Sequence, residues 1–142
     1  MGAEVVRAAV GEDVLNVAEH AALVEHAGAG AVVTFAGVVR DHDGGRTVAG
    51  LTYSAHPTAA AIVAEVAADV AGRATGVRAI AVSHRIGALG IGDVALACAV
   101  AADHRREAFT TCAELVDEVK RRLPVWKHQA FADGTDEWVN SA

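Results

Sequence analysis

The segment AVVTFAGVVRDHDGGR, residues 31–46, contains the strand and the loop from which the fold can be worked out. Its first nine residues are rich in β-branched side chains and predict a buried strand over Ala31–Val39. The charged, glycine-rich residues 40–46 predict a loop. Arg40 stands where the strand ends, beside glycines that permit close approach of a ligand, so this loop is a candidate binding site. A polar hairpin tip is the alternative interpretation.

The segments on either side alternate between strands and helices. On the N-terminal side, residues 3–10 predict a strand, and Asp13 predicts the cap of a helix that runs through about Ala27. On the C-terminal side, strands are expected over residues 47–54, 77–86 and 94–101, with an alanine-rich helix opened by Pro57 between the first two.

The last third of the chain predicts one long helix and a hairpin. Asp103 is expected to cap a helix that ends near Leu123, because Pro124 cannot continue it. Residues 126–140 then predict two short strands joined by a glycine-containing turn. The whole pattern predicts an α+β fold with a mostly antiparallel sheet and a small C-terminal β-hairpin, in one domain over residues 1–142.

Composition excludes several classes of protein. Hydrophobic residues make up 53% of the 142 residues, which predicts a buried core and not a disordered chain. Eighteen acidic residues against 12 basic ones give a net charge of −6, which argues against nucleic-acid binding. Cys98 and Cys112 form no CxxC motif and the histidines form no HxxxH pair, so we expect no metal site. Without a signal peptide or an apolar span, we expect a cytoplasmic protein that does not bind membranes.

The basic residues are almost all arginine. Of the 12, only Lys120 and Lys127 are lysine, which suggests positions where a primary amine is needed for proton transfer or nucleophilic chemistry. Compositional drift is the alternative explanation.

The predicted start of the last long helix carries His104 and Arg105, which make a candidate anion-binding pair. A solvated helix face explains the same residues equally well. If His104 and Lys120 share one helix, the 16 residues between them span ~24 Å, too far for both to touch one small substrate. Were both catalytic, a second copy of the chain would have to complete the site.

Several motifs together resemble the large, catalytic subunit of molybdopterin synthase. The matching stretches, which cover most of the chain, are GAVVTFAGVVRDHDGG (30–45), LTYSAHP (51–57), HRIGALGIGD (84–93), HRREAF (104–109) and KRRLPVWKHQAFADGTDEWV (120–139). Two positions depart from the usual family pattern, where an acid is common: Ser54 after Tyr53, and Gln129 after Lys127-His128.

The resemblance implies a sulfurtransferase of molybdenum cofactor biosynthesis. Such an enzyme converts cyclic pyranopterin monophosphate to molybdopterin with sulfur from a thiocarboxylate on the C-terminal Gly-Gly of a small ubiquitin-like partner, and it needs no cofactor. The implied assembly is a heterotetramer built on a homodimer of the large subunit, and the implied fold is an α/β hammerhead.

The family's functional positions fall on five residues of this chain. The resemblance implies that Lys120 and Lys127 are catalytic, that Arg40 binds substrate, and that His104 and Arg105 bind it from the opposite subunit. Two alternatives stay open: a non-catalytic dimeric module that binds the ubiquitin-like partner or an anionic pterin, and a monomeric anion-binding domain.

Overall fold

The computed structural model describes residues 2–142, which contain three helices and nine strands joined by turns and loops. In chain order they are β1 (Glu4–Gly11), α1 (Val17–Leu23), β2 (Ala31–Val38), β3 (His42–Asp43), β4 (Arg46–Ala55), α2 (Ala59–Arg73), β5 (Val77–Arg85), β6 (Gly87–Leu89), β7 (Val94–Ala102), α3 (Arg105–Arg122), β8 (Val125–Phe131) and β9 (Asp136–Val139). None of the helices within these residues is long and apolar enough to span a membrane.

The larger layer is a four-stranded sheet in the order β1-β5-β7-β2, in which only the β1–β5 pair is parallel. Helices α2 and α3 pack on one face of it and bury Val63, Val66, Leu115 and Val119 completely. On the other face, Val24 at the end of α1 covers a patch of small residues from β5 and β7. Alanine contributes much of this core, and Ala67, Ala97, Ala99 and Ala101 are completely buried.

The second layer is built around β4. This strand pairs with β3, β6 and β8, all antiparallel, and β8 pairs in turn with β9. The α+β fold, the mostly antiparallel sheets and the C-terminal hairpin predicted from sequence are thereby confirmed.

The prediction for α1 is wrong at both ends. The helix is capped by Asn16, whose side chain accepts the Glu19 N–H at 3.1 Å, and not by Asp13. Val14, which the predicted helix would include, precedes the helix and is 78% exposed. The helix ends at Leu23, before Ala27, because the chain turns there: the Gly28 N–H donates to the ring of His26.

The predicted cap of α3 is also wrong by one residue. His104 occupies the N-cap position, while the Asp103 carboxylate forms an ion pair with Arg78 at 2.6 Å. The C-terminal end agrees with the prediction, since α3 ends at Arg122 and Pro124 leads directly into β8.

β2 is an edge strand and not the fully buried strand that its β-branched run predicts. It pairs only with β7, and its residues alternate between partly buried and exposed, so that Val32 and Val38 are about half exposed. Sequence composition cannot distinguish an edge position from a central one, because β-branched residues favour both.

Candidate active site

A cavity of about 200 Å³ lies where the two layers meet, and it contains three of the five predicted site residues. Arg40 reaches it two residues after the end of β2, Lys120 from the last turn of α3, and Lys127 from β8. The turn at Pro124 brings the two lysines together. Helix α3 ends at Arg122 and strand β8 begins at Val125, so the chain changes direction between Lys120 and Lys127. Both side chains therefore line the same cavity although they are seven residues apart.

The charged side chains that line the cavity are all positive. Its described lining includes the cations Arg40, Lys120 and Lys127 and no acidic side chain. Partial burial and the positive charge of Lys127 both hold the pKa of Lys120 below its ordinary value, with burial the larger cause. A site of this kind attracts anions, and an anion bound between the cations would relieve their mutual repulsion.

The cavity already holds one backbone oxygen atom. The Lys120 ammonium donates a hydrogen bond to the backbone oxygen of Ala142 at 3.0 Å, and Ala142 itself lines the cavity. Lys120 therefore presents a donor at a position that a polypeptide backbone can reach.

The other polar residues of the lining come from four strands: His42 of β3, Tyr53 of β4, His84 of β5 and Gln129 of β8. Tyr53 of β4 and His84 of β5 pack edge to face, with ring centroids 4.8 Å apart. Burial raises the pKa of Tyr53, so its hydroxyl stays protonated. Burial, with a smaller contribution from the charge of Lys120, lowers the pKa of His84 to about 4, so its ring is neutral near pH 7.

Gln129 connects the cavity wall to the loop that carries Arg40. Its buried amide donates to the Asp43 carboxylate at 2.7 Å, and Asp43 lies 3.6 Å from the Arg40 guanidinium. The hydrogen bond from Gln129 is the main reason why the pKa of Asp43 lies below its ordinary value. The amide thus suits this position, where a carboxylate would repel Asp43.

His104 and Arg105 lie elsewhere. Both are exposed, and they line a separate groove with Arg106, Glu107, Phe109 and Thr110 at the start of α3. Because α3 runs from Arg105 to Arg122, the helix separates them from Lys120 as the sequence analysis anticipated. The structure therefore brings Arg40, Lys120 and Lys127 together and leaves His104 and Arg105 apart within one chain.

Sequence reasoning from the residues alone missed Tyr53, His84 and Gln129 as cavity residues. His84 was weighed only as a metal ligand, and within residues 2–142 no cluster of three potential ligands exists. The signal that was available is the motif context, since Tyr53 and His84 lie in two of the stretches that carry the family resemblance.

Comparisons with known protein sequences all point to one family. The sequence model of the MoaE protein family matches residues 10–122. The chain is 35% identical to the molybdopterin synthase catalytic subunit of Nostoc sp. over 89% of this chain and 77% of that one. It is 41% identical to the subunit of the same name from Pyrococcus abyssi, over 87% and 83%.

Solved structures show the same fold. The crystal structure of molybdopterin synthase from Staphylococcus aureus superposes with a TM-score of 0.84 at 27% identity, covering 92% of this chain and 94% of that one. A chain from the complex of subunits 1 and 2 of molybdopterin-converting factor from Helicobacter pylori matches with a TM-score of 0.64 at 18% identity, over 96% and 88%.

Proposed function

Because the chain belongs to the MoaE protein family, we propose that it is the catalytic subunit of a molybdopterin synthase, a sulfurtransferase that converts cyclic pyranopterin monophosphate to molybdopterin. The sulfur would come from the C-terminal thiocarboxylate of a small ubiquitin-like subunit. The observation that carries the proposal is the cationic cavity in which Lys120 already donates to a backbone oxygen, that of Ala142.

Lys120 is placed to assist cleavage of the acyl–sulfur bond at the tail of the small subunit. The tail of the small subunit would replace Ala142 in the cavity and present its terminal acyl group to the Lys120 ammonium. When the acyl–sulfur bond is cleaved, negative charge develops on the acyl oxygen, and a donor already in place stabilises that charge more than it stabilises the neutral carbonyl.

Lys127 and Arg40 are suited to bind the pterin substrate. The substrate carries a cyclic phosphate, and both cations face the same cavity as Lys120. Arg40 offers a planar guanidinium for a phosphate, and Lys127 can bind the substrate or donate a proton during sulfur addition.

We propose that a second copy of the chain supplies His104 and Arg105. Both side chains are exposed next to Phe109, an aromatic residue that is 61% exposed, and neither reaches the cavity of its own chain. A site shared between two copies predicts complementation. Mixed dimers of Lys120→Met and His104→Ala would contain one site with both residues intact and regain activity, whereas a site within one chain would leave both variants inactive.

The assembly would be a heterotetramer with a homodimer at its centre. The Helicobacter pylori relative in fold was solved as a complex of two different subunits, which supports a small partner here. We place the protein in the cytoplasm, where Cys98 and Cys112, both buried and free in the structure, stay reduced.

Reconstitution tests the proposal against a non-catalytic binding module. The purified chain is mixed with thiocarboxylated small subunit and cyclic pyranopterin monophosphate, and the dithiolene product is assayed. Product that disappears in Lys120→Ala supports the enzyme. A stable complex without product would favour the binding module.

A further inference from the structure

His84 has one ring nitrogen that the fold leaves unused. The side chain is only 1% exposed and lines the cavity at the end of β5. Its Nδ1 lies 2.8 Å from the backbone oxygen of Arg85, and since a carbonyl can only accept, Nδ1 carries the proton. Nε2 therefore has a free lone pair, and within residues 2–142 it has no hydrogen-bond partner.

This unpaired nitrogen is unusual for a buried histidine in this fold. His20, packed on the opposite face of the same sheet, uses both of its nitrogens, one with the oxygen of Asn16 and one with the hydroxyl of Ser83, each at 2.7 Å. Buried acceptors without partners are disfavoured, so they tend to mark positions that a ligand or water completes. His84 differs from His20 in lining the cationic cavity.

The proposed reaction needs an acceptor in this cavity. Once sulfur has bonded to the pterin, it is still attached to the tail as a thioester, and water must cleave the acyl–sulfur bond to release it. The attacking water must lose a proton. Protonated Arg40, Lys120 and Lys127 only donate hydrogen bonds, and the Gln129 amide oxygen can accept a hydrogen bond but takes up no proton near pH 7. His42, the other imidazole of the lining, is exposed, and its Nδ1 lies 2.8 Å from the Asp41 carboxylate.

We propose that His84 is a further catalytic residue, whose Nε2 orients the water that hydrolyses the acyl–sulfur bond and accepts its proton. The water oxygen bonds to the acyl carbon as one water proton passes to Nε2. The carbon–sulfur bond then breaks, and the imidazolium returns the proton to the departing sulfur. Thioester and water become a thiol and a carboxylic acid, so no other reactant is needed.

The charge state of His84 supports this assignment. The low pKa of His84 keeps Nε2 unprotonated near pH 7 and makes its imidazolium release the proton readily. The inference rests on the proposed function, and it requires that binding of the tail admit water to Nε2, because that atom is closed off from solvent in this structure.

The test is a single-turnover reaction with the thiocarboxylated small subunit, followed by mass spectrometry of the small subunit. His84→Leu removes the acceptor Nε2 and replaces the imidazole with an apolar side chain of similar size. We expect sulfur addition to continue while hydrolysis slows by about 10²-fold or more, so that a covalent adduct of the small subunit and the pterin accumulates. His84→Gln, whose amide oxygen can reach the position of Nε2 and accept a hydrogen bond but takes up no proton near pH 7, is expected to accumulate the adduct as well.

Ser83→Ala is the matched control, since it alters the neighbouring residue of β5 on the other face of the sheet, and it should accumulate no adduct. Hydrolysis at the wild-type rate in His84→Leu overturns the inference. If that variant does not fold, the polar variant His84→Gln decides, and hydrolysis at the wild-type rate in His84→Gln overturns the inference. A wild-type protein that forms neither adduct nor product refutes the proposed function instead.

Discussion

Replacing Lys120 by methionine tests the role of its ammonium most sharply, because methionine keeps a flexible apolar side chain and removes only the charge and its donors. In the structure the ammonium donates to the Ala142 oxygen at 3.0 Å, a normal length for an N–H···O hydrogen bond. With the tail in place, the same donor would face the acyl oxygen on which charge develops.

The expected effect follows from that geometry. A charged hydrogen bond to the neutral carbonyl contributes about 1.5–3 kcal/mol, which would appear as weaker binding of the tail. Removing a donor aimed at a developing oxyanion lowers kcat by about 10²–10³-fold, or about 2.7–4 kcal/mol. The turnover rate should therefore fall by more than the affinity for the small subunit.

The assay measures single-turnover product formation at saturating small subunit, with the dissociation constant determined separately. Arg121→Met is the control: Arg121 is the next residue of the same helix, pairs with Glu118 and does not line the cavity. It should react at the wild-type rate. A Lys120→Met protein whose kcat stays within a factor of about two of the wild type would refute the assigned role. Full activity in Lys120→Arg would show that the charge is sufficient and the amine is not required.

Three further predictions follow from the site and the core. Lys127→Gln removes a positive charge near Lys120, so the pKa of Lys120 should rise; since the ammonium is the active form, the alkaline loss of activity should move to higher pH, as a pH–rate profile would show. A profile unchanged by the substitution would contradict the coupling. Arg40→Ala should raise the KM for the pterin by about 10- to 100-fold with a smaller change in kcat, and an unaffected KM would place the phosphate elsewhere. Leu115→Ala should lower the free energy of unfolding by about 2–5 kcal/mol in urea denaturation, because Leu115 is fully buried between α3 and the sheet; a loss below about 1 kcal/mol would be too small for that packing.

The elements that sequence predicted well are those with a strong local signal. The start of β8 and the end of α3 were predicted because Pro124 ends a helix by its own covalent geometry. The start of α1 was misplaced because Asp13 and Asn16 are both good capping residues, and the choice between them depends on packing against a distant sheet. The edge position of β2 was missed for the same reason, since strand order depends on contacts far apart in sequence.

The residues of the candidate site also differ in whether a local sequence signal predicts them. Lys120 and Lys127 could be singled out because they are the only lysines, and Arg40 because it follows a strongly β-branched strand. His84 gives no such signal: its importance comes from the Arg85 carbonyl that occupies one nitrogen and from a cavity built by residues of other strands and of α3. Neither feature can be derived from local sequence.

Transfer of labelled sulfur tests the central claim most directly. The small subunit is thiocarboxylated with a heavy sulfur isotope, incubated with the wild-type chain and cyclic pyranopterin monophosphate, and the pterin product is analysed by mass spectrometry. The account predicts a dithiolene in which both sulfurs carry the label, and about 10²–10³-fold slower release of the labelled dithiolene with Lys120→Met. A wild-type protein that binds the small subunit stably and leaves all of the label on it would contradict the assignment as a sulfurtransferase.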